Sequence, residues 1–219
     1  MPGGEAAKAP CKRLQFQRSI TEVMETHMEE SPLERFRAWF GAAEAASVPQ
    51  AEAIALATAA PGGAPSLRMV LLKQADERGF AFFTNLGSRK ARELAENPRA
   101  ALLLFWQPLG RQIRIEGVAE PVGRDEVVHY ARSRSRESQL SALASPQSDP
   151  IESREWLEER VRELEKAHPE GDLPVGDDWG GFRLVPDRYE FWESGAARLH
   201  HRTEYVRAGD AWEARILGP

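Results

Sequence analysis

The chain holds one cysteine, Cys11, in 219 residues. That excludes an internal disulfide framework and fits a reducing compartment. Its apolar runs all fall short of the ~18 residues needed to span a bilayer, so no membrane partner is expected. The opening MPGGEAAKAPCKR lacks the apolar core of a signal peptide, and a cytoplasmic protein is the expectation. Basic excess is missing too: the net charge is −5, which argues against general nucleic-acid binding and makes any phosphate site a local basic cluster. There is no G-x-G-x-x-G, no G-x-x-x-x-G-K-[ST], no H-E-x-x-H, no G-x-S-x-G and no Cys/His pair at zinc spacing. No metal site is expected. An enzyme built from this chain would draw its chemistry from a bound organic cofactor.

What is present is ordinary for a soluble domain, with 42% hydrophobic and 29% charged residues. Residues 1–30 are polar and are expected to form a mobile N-terminal segment ahead of a single domain, 31–219. Ser31-Pro32 opens a helix in which Leu33, Phe36, Trp39 and Phe40 recur at helical spacing. Strands are expected over 51–59, 66–73, 80–84, 99–106 and 111–120. Arg68-Met69-Val70-Leu71-Leu72-Lys73 is apolar on both faces between two cations, so its centre is expected to be buried. In 111–120, Ile113 and Ile115 share one face and Gln112, Arg114 and Glu116 the other. A polar face on a central strand signals a wet barrel end, a subunit interface or a ligand.

Ser88-Arg89-Lys90 starts a helix that Asn97-Pro98 closes. Cations in a first turn oppose the helix dipole. Two readings stand: a solvated Arg-rich helix start, or free N–H groups and cations gathered for a phosphate. A second helix follows Gly123, with Tyr130 and Arg134 four apart on one face. Arg132, Arg134 and Arg136 alternate with serines, as a flexible basic loop or an anion site. An amphipathic helix over 152–168 has Leu157, Val161 and Leu164 as its seam and a Glu158–Arg162 surface pair. Strands over 180–186, 187–193, 199–206 and 212–217 complete the sheet. Read as a strand, RLHHR places Arg198, His200 and Arg202 on one face, with Leu199 and His201 on the other.

RMVLLK (68–73), FFTNLGSRKARELAENPRAALLLFW (82–106), RQIRIEG (111–117), SRSRESQLSALASPQS (133–148), WGGFRLVPDRYEFW (179–192) and RLHHR (198–202) closely resemble, in this order, the pyridoxine (pyridoxamine) 5'-phosphate oxidase family. The resemblance covers about three quarters of the chain. It implies a mostly β fold with peripheral helices (α+β), an antiparallel split β-barrel that holds FMN at a homodimer interface. The implied reaction oxidises pyridoxine 5'-phosphate or pyridoxamine 5'-phosphate to pyridoxal 5'-phosphate. Hydride passes to the flavin, and O2 reoxidises it to give hydrogen peroxide.

By the same resemblance, FMN is bound by Arg68, Met69, Val70, Leu71, Leu72, Lys73, Phe83, Thr84, Arg89, Lys90, Gln147, Ser148, Trp192 and Arg202. Gln112 reaches across to the partner subunit's FMN. Lys73, Tyr130, Arg134 and Ser138 grip the substrate's phosphate, and Arg198 and His200 are the catalytic pair over its ring. Two departures stand out: the family's N-terminal Arg-Glu-Tyr lid motif is not found, and His201 replaces the usual Asp. Rival readings are a same-fold oxidase of another aromatic, such as a phenazine precursor, and a non-catalytic protein that binds FMN or pyridoxal phosphate.

Overall fold

Ser31 begins the described part of the chain with a capping box. Its hydroxyl accepts from the Glu34 N–H, and the Glu34 carboxylate accepts from the Ser31 N–H. The computed structural model describes residues 30–219, so the expected N-terminal segment and its mobility lie outside the described residues except for Glu30. Helix α1 (Pro32–Ala45) buries Phe36 and Trp39 of the expected stripe, with Leu33 and Phe40 half-buried against the core. Phe36 meets Phe80 edge-on at 4.8 Å, and Trp39 meets Phe191 at 5.3 Å. Such contacts add ~0.5–1.5 kcal/mol each beyond area burial.

The strands are β1 (Ala53–Ala59), β2 (Pro65–Leu71), β3 (Gln74–Asp76), β4 (Gly79–Asn85), β5 (Arg99–Trp106), β6 (Arg111–Pro121), β7 (Trp179–Glu193), β8 (His201–Ala208) and β9 (Ala211–Ile216). They form one antiparallel sheet in the order β2-β1-β5-β6-β7-β4-β3, with β8 on β7 and β9 on β8. Its two ends, β2 and β3, are halves of one extended run. Leu72 donates its N–H to Glu52 on the β1 side, and Lys73 donates to Ala81 on β4. That hand-over curls the sheet into the expected barrel. Ile54, Leu56, Leu102, Leu104, Ile113, Ile115, Phe80 and Phe82 fill its interior.

Three expectations change. The centre of β2 is not buried within the chain: Leu67 and Met69 are 69% and 63% exposed. Its other face, Ser66, Arg68 and Val70, pairs with Thr58, Leu56 and Ile54 and lies inward. The strands expected over 180–186 and 187–193 are one continuous β7. Asp187 is the extra residue of a bulge, where the register shifts between Glu116 and Gly117. At the same place β7 changes partner, from β4 (through Leu184) to β8 (from Arg188). Only glycine fits opposite the bulge, because a Cβ on Gly117 would lie 2.1 Å from the Val185 carbonyl oxygen. Third, the serine-arginine stretch is not all loop: Ser135 caps a helix that begins at Arg136.

The remaining helices are α2 (Arg89–Glu96), α3 (Arg124–Ser133), α4 (Arg136–Ala144) and α5 (Arg154–Ala167). Leu157, Val161 and Leu164 are half-buried, as the seam requires. The expected Glu158–Arg162 pair is replaced by Arg154–Glu158 and Arg162–Glu159 at 2.8 and 2.6 Å. Glu158 is drawn to the arginine one turn earlier, leaving Arg162 to its nearer neighbour. Among the described residues no helix is long and apolar enough to cross a membrane.

Candidate active site

The chemistry begins where β4 runs into α2. Ser88 is the N-cap of α2, fully buried, and its hydroxyl makes no capping hydrogen bond. The Lys90 ammonium turns back beneath it. It donates to Thr84 Oγ1 (3.0 Å), Ser88 Oγ (3.2 Å) and Gln147 Oε1 (2.7 Å), and Thr84 donates to the same Gln147 oxygen at 2.9 Å. These partners are all neutral, although Lys90 is only 8% exposed. Burial, with repulsion from Arg68 added, lowers its pKa from 10.5 to about 8. A buried ammonium that lacks a compensating anion is a place for one.

Arg68 approaches from the inner face of β2. It donates to the Leu56 carbonyl at 3.0 Å, to Thr58 Oγ1 at 2.7 Å and to Ser66 Oγ. Glu93, on α2, joins it to Arg89. Its Oε2 accepts from Arg68 Nη2 at 3.2 Å, from Ser66 and from Thr58, and its Oε1 accepts from Arg89 Nε at 2.8 Å. Burial pushes the Glu93 carboxyl up, but bonds from Ser66, Thr58 and Arg89 outweigh it and hold the group at about 2. Thr58, Ser66 and Glu93 were not singled out in the sequence. An Arg-x-x-x-Glu spacing reads as a surface helix pair, and only the sheet pairing reveals that it faces Arg68.

A second cluster lies on the outer face of the sheet. Gln112, Trp192 and Arg202 are direct cross-strand neighbours in one row over β6, β7 and β8. The His200 ring sits 4.6 Å from Trp192, and its Nδ1 accepts the Gly195 N–H at 3.2 Å. The expected face sharing of Arg198, His200 and Arg202 is corrected here. β8 starts only at His201, and Ala196–Arg198 is a 3₁₀ turn with left-handed φ at Ala197 (53°) and Arg198 (65°). Period-two alternation therefore does not apply to Arg198, which is exposed.

A third group is the cleft of about 550 Å³ lined by Lys73, Gln74, Phe83, His129, Tyr130 and Ser133, with the carboxylates of Asp125 and Glu126 on its wall as well. Phe83 and Tyr130 stack there at 4.0 Å, and burial raises the Tyr130 pKa. Arg134 does not join it as a helix-face partner of Tyr130, because α3 ends at Ser133 and Arg134 is its extended C-cap. Its guanidinium lies over the Trp179 ring at 4.8 Å, in a separate small pocket with Gln139 and Asp178. Ser138, in the first turn of α4, bonds to Ser135. Ser148 is exposed with a φ of 75°.

Arg68 and the Gln112 row thus occupy opposite faces of the sheet. β1 and β5 stand between their strands, a path of roughly 14 Å at ordinary strand spacing.

Comparison with known proteins identifies the family. The family model described as pyridoxamine 5'-phosphate oxidase matches residues 40–168. That of the pyridoxine 5'-phosphate oxidase C-terminal dimerisation region matches 179–219. The chain is 54% identical to a pyridoxine/pyridoxamine 5'-phosphate oxidase of Anaeromyxobacter dehalogenans, over 86% of this chain and 95% of that protein. It is 44% identical to one of Rubrobacter xylanophilus, over 98% and 99%. Among solved structures it is similar to PhzG from Burkholderia lata 383 in complex with tetrahydrophenazine-1-carboxylic acid. There the TM-score is 0.83 and the identity 36%, over 86% of this chain and 93% of that one. A pyridoxamine 5'-phosphate oxidase-related, FMN binding protein from Nostoc punctiforme shares the fold, with a TM-score of 0.70 at 20% identity over 88% and 100%. The chain belongs to the pyridoxamine 5'-phosphate oxidase family.

Proposed function

We propose that this protein is an FMN-dependent oxidase that converts pyridoxine 5'-phosphate or pyridoxamine 5'-phosphate to pyridoxal 5'-phosphate, with O2 as final acceptor and hydrogen peroxide as co-product. The observation that carries the cofactor is the Lys90 ammonium, buried among neutral partners beside Arg68. A dianionic phosphate fits this charge, and Arg68, Arg89, Thr84 and Gln147 would hold it with Lys90. Met69–Leu72 would add backbone contacts. Bound FMN would supply a two-electron acceptor for the substrate's hydride.

The chain's own residues bind and orient. Lys73 and Tyr130, on one cleft, suit the substrate's phosphate; Arg134 and Ser138 lie outside that cleft, and Arg134 would have to swing off the Trp179 ring to complete the grip that the family resemblance implies. His200 accepts the Gly195 N–H at Nδ1, which leaves Nε2 as its uncommitted ring nitrogen among the described residues. That atom is left to hydrogen-bond the substrate's oxygen or nitrogen. Trp192 and Gln112 would flank the flavin. They lie on the sheet face opposite Arg68, so a second copy of the chain would bring its row to the first copy's phosphate clamp. The matching dimerisation region supports such a homodimer.

The similarity to PhzG favours a second reading, oxidation of a tetrahydrophenazine carboxylate. Curated relatives at higher identity support the phosphorylated substrate over it. Purified protein is expected to be yellow and to form pyridoxal phosphate in an O2-dependent assay. A colourless protein that takes up no FMN would overturn the cofactor. A flavoprotein that oxidises only the phenazine precursor would overturn the substrate, and one that turns over neither would be a binding protein.

A further inference from the structure

Behind the Gln112–Trp192–Arg202 row lies a second one, formed by Arg114, Glu190 and Glu204 on the same three strands. Glu190 and Glu204 are directly opposed, and each is only about 4% exposed. Two carboxylates so placed repel, and they persist only because arginines bracket them. Glu204 takes Arg188 at 2.7 Å and also Arg215. Glu190 takes Arg114 at 2.6 Å through Oε2 and Arg202 Nε at 2.8 Å through Oε1.

The two acids look alike, but their arginines differ. Arg188 and Arg215 lead away from the Trp192 row, whereas Arg202 is in it. The Arg202 guanidinium is fixed at two of its three nitrogens, Nε by Glu190 and Nη1 by the Gly218 carbonyl at 2.8 Å. Among the described residues Nη2 has no hydrogen-bond partner. A planar fork pinned on one edge offers its remaining nitrogen in a fixed direction.

We propose that Glu190 is a positioning residue for the cofactor site, holding Arg202 so that Nη2 is presented beside Trp192. This rests on the reading of Arg202 as an FMN-binding cation.

The test is FMN titration into the full-length apoprotein, followed by flavin fluorescence quenching, with thermal melts in parallel. Glu190→Gln is expected to weaken FMN binding about tenfold, the order of one charge-assisted contact. Glu204→Gln removes an equally buried charge from the neighbouring pair. It is expected to lower Tm to a similar degree while leaving FMN affinity unchanged, which separates positioning from mere support of the sheet. Arg202→Ala weakens binding at least as much as Glu190→Gln, and the double variant loses little more than Arg202→Ala alone.

If Glu190→Gln does not fold, Glu190→Asp keeps the charge but withdraws it by one methylene, and a weakened FMN affinity is expected there too. Wild-type affinity in both Glu190 variants, with Arg202→Ala impaired, overturns the positioning role alone. Wild-type affinity in Arg202→Ala removes Arg202 from the cofactor site and takes this inference with it.

Discussion

Lys90 is a cation held where water cannot stabilise it, and its titration has a definite sign. Its folded pKa of about 8 lies below the ordinary 10.5. Between those values the unfolded chain binds a proton that the folded chain does not. This group therefore makes the empty protein more stable as pH rises through that window. Melts of wild type against Lys90→Met should show the wild type gaining ground from pH 8 to 10.5. A phosphate has the opposite need, because it requires the ammonium. FMN affinity is expected to fall as pH rises above about 8, a dependence that Lys90→Met should flatten. The division of the other cations is tested by kinetics. Arg89→Ala should weaken FMN retention, whereas Arg134→Ala should raise KM by roughly tenfold or more with FMN still bound, as one charged hydrogen bond predicts. Arg89 and Lys90 stand out in the sequence as first-turn cations that run against the helix dipole, which fits a solvated helix start equally well; the family resemblance is what assigns them to a phosphate. Glu93 does not stand out, since what makes it part of the site is Arg68, 25 residues away on a strand.

At the scale of elements, the strands follow from apolar runs bounded by turn residues, with clean alternation only in β6, and the misreadings fall where the chain changes direction. Pro186-Asp187 reads as a break between two strands because proline cannot donate to a ladder. In the folded chain it is a bulge inside one strand, tolerated because Gly117 yields the space. Gly117→Ala is expected to cost on the order of 3 kcal/mol and to lower Tm by roughly 6–12 °C in a domain of this size. Calorimetry on the purified variant checks it. The turn before β8 hid for a related reason. Left-handed residues at Ala197 and Arg198 carry no glycine signature, so RLHHR looks like unbroken strand. Helix α4 hid behind the alternating arginines and serines, whose composition suits a loop equally well.

For the whole molecule, the outer sheet face is divided. Leu67, Met69 and Leu71 on β2 and Phe105 on β5 are exposed and apolar, while β6 to β8 carry the Trp192 and Glu190 rows. An apolar patch next to the row proposed to flank the cofactor suits a second copy of the chain. Leu67 lies on the face of β2 opposite the clamp residues Ser66 and Arg68, so Leu67→Glu should shift sedimentation toward monomer and, by separating the two copies, weaken FMN binding together. Dissociation without loss of FMN affinity would mean that one copy binds the cofactor alone. The position of β7 has a consequence for how the protein is made. It fills the gap between β4 and β6, and its partners on β4 lie about 100 residues earlier in the chain. As the polypeptide leaves the ribosome, β4 and β6 emerge with open edges that nothing yet covers. The barrel closes only when β7, beginning at Trp179, arrives, so the proposed cofactor site is completed long after β4 and the clamp helix α2 have been made.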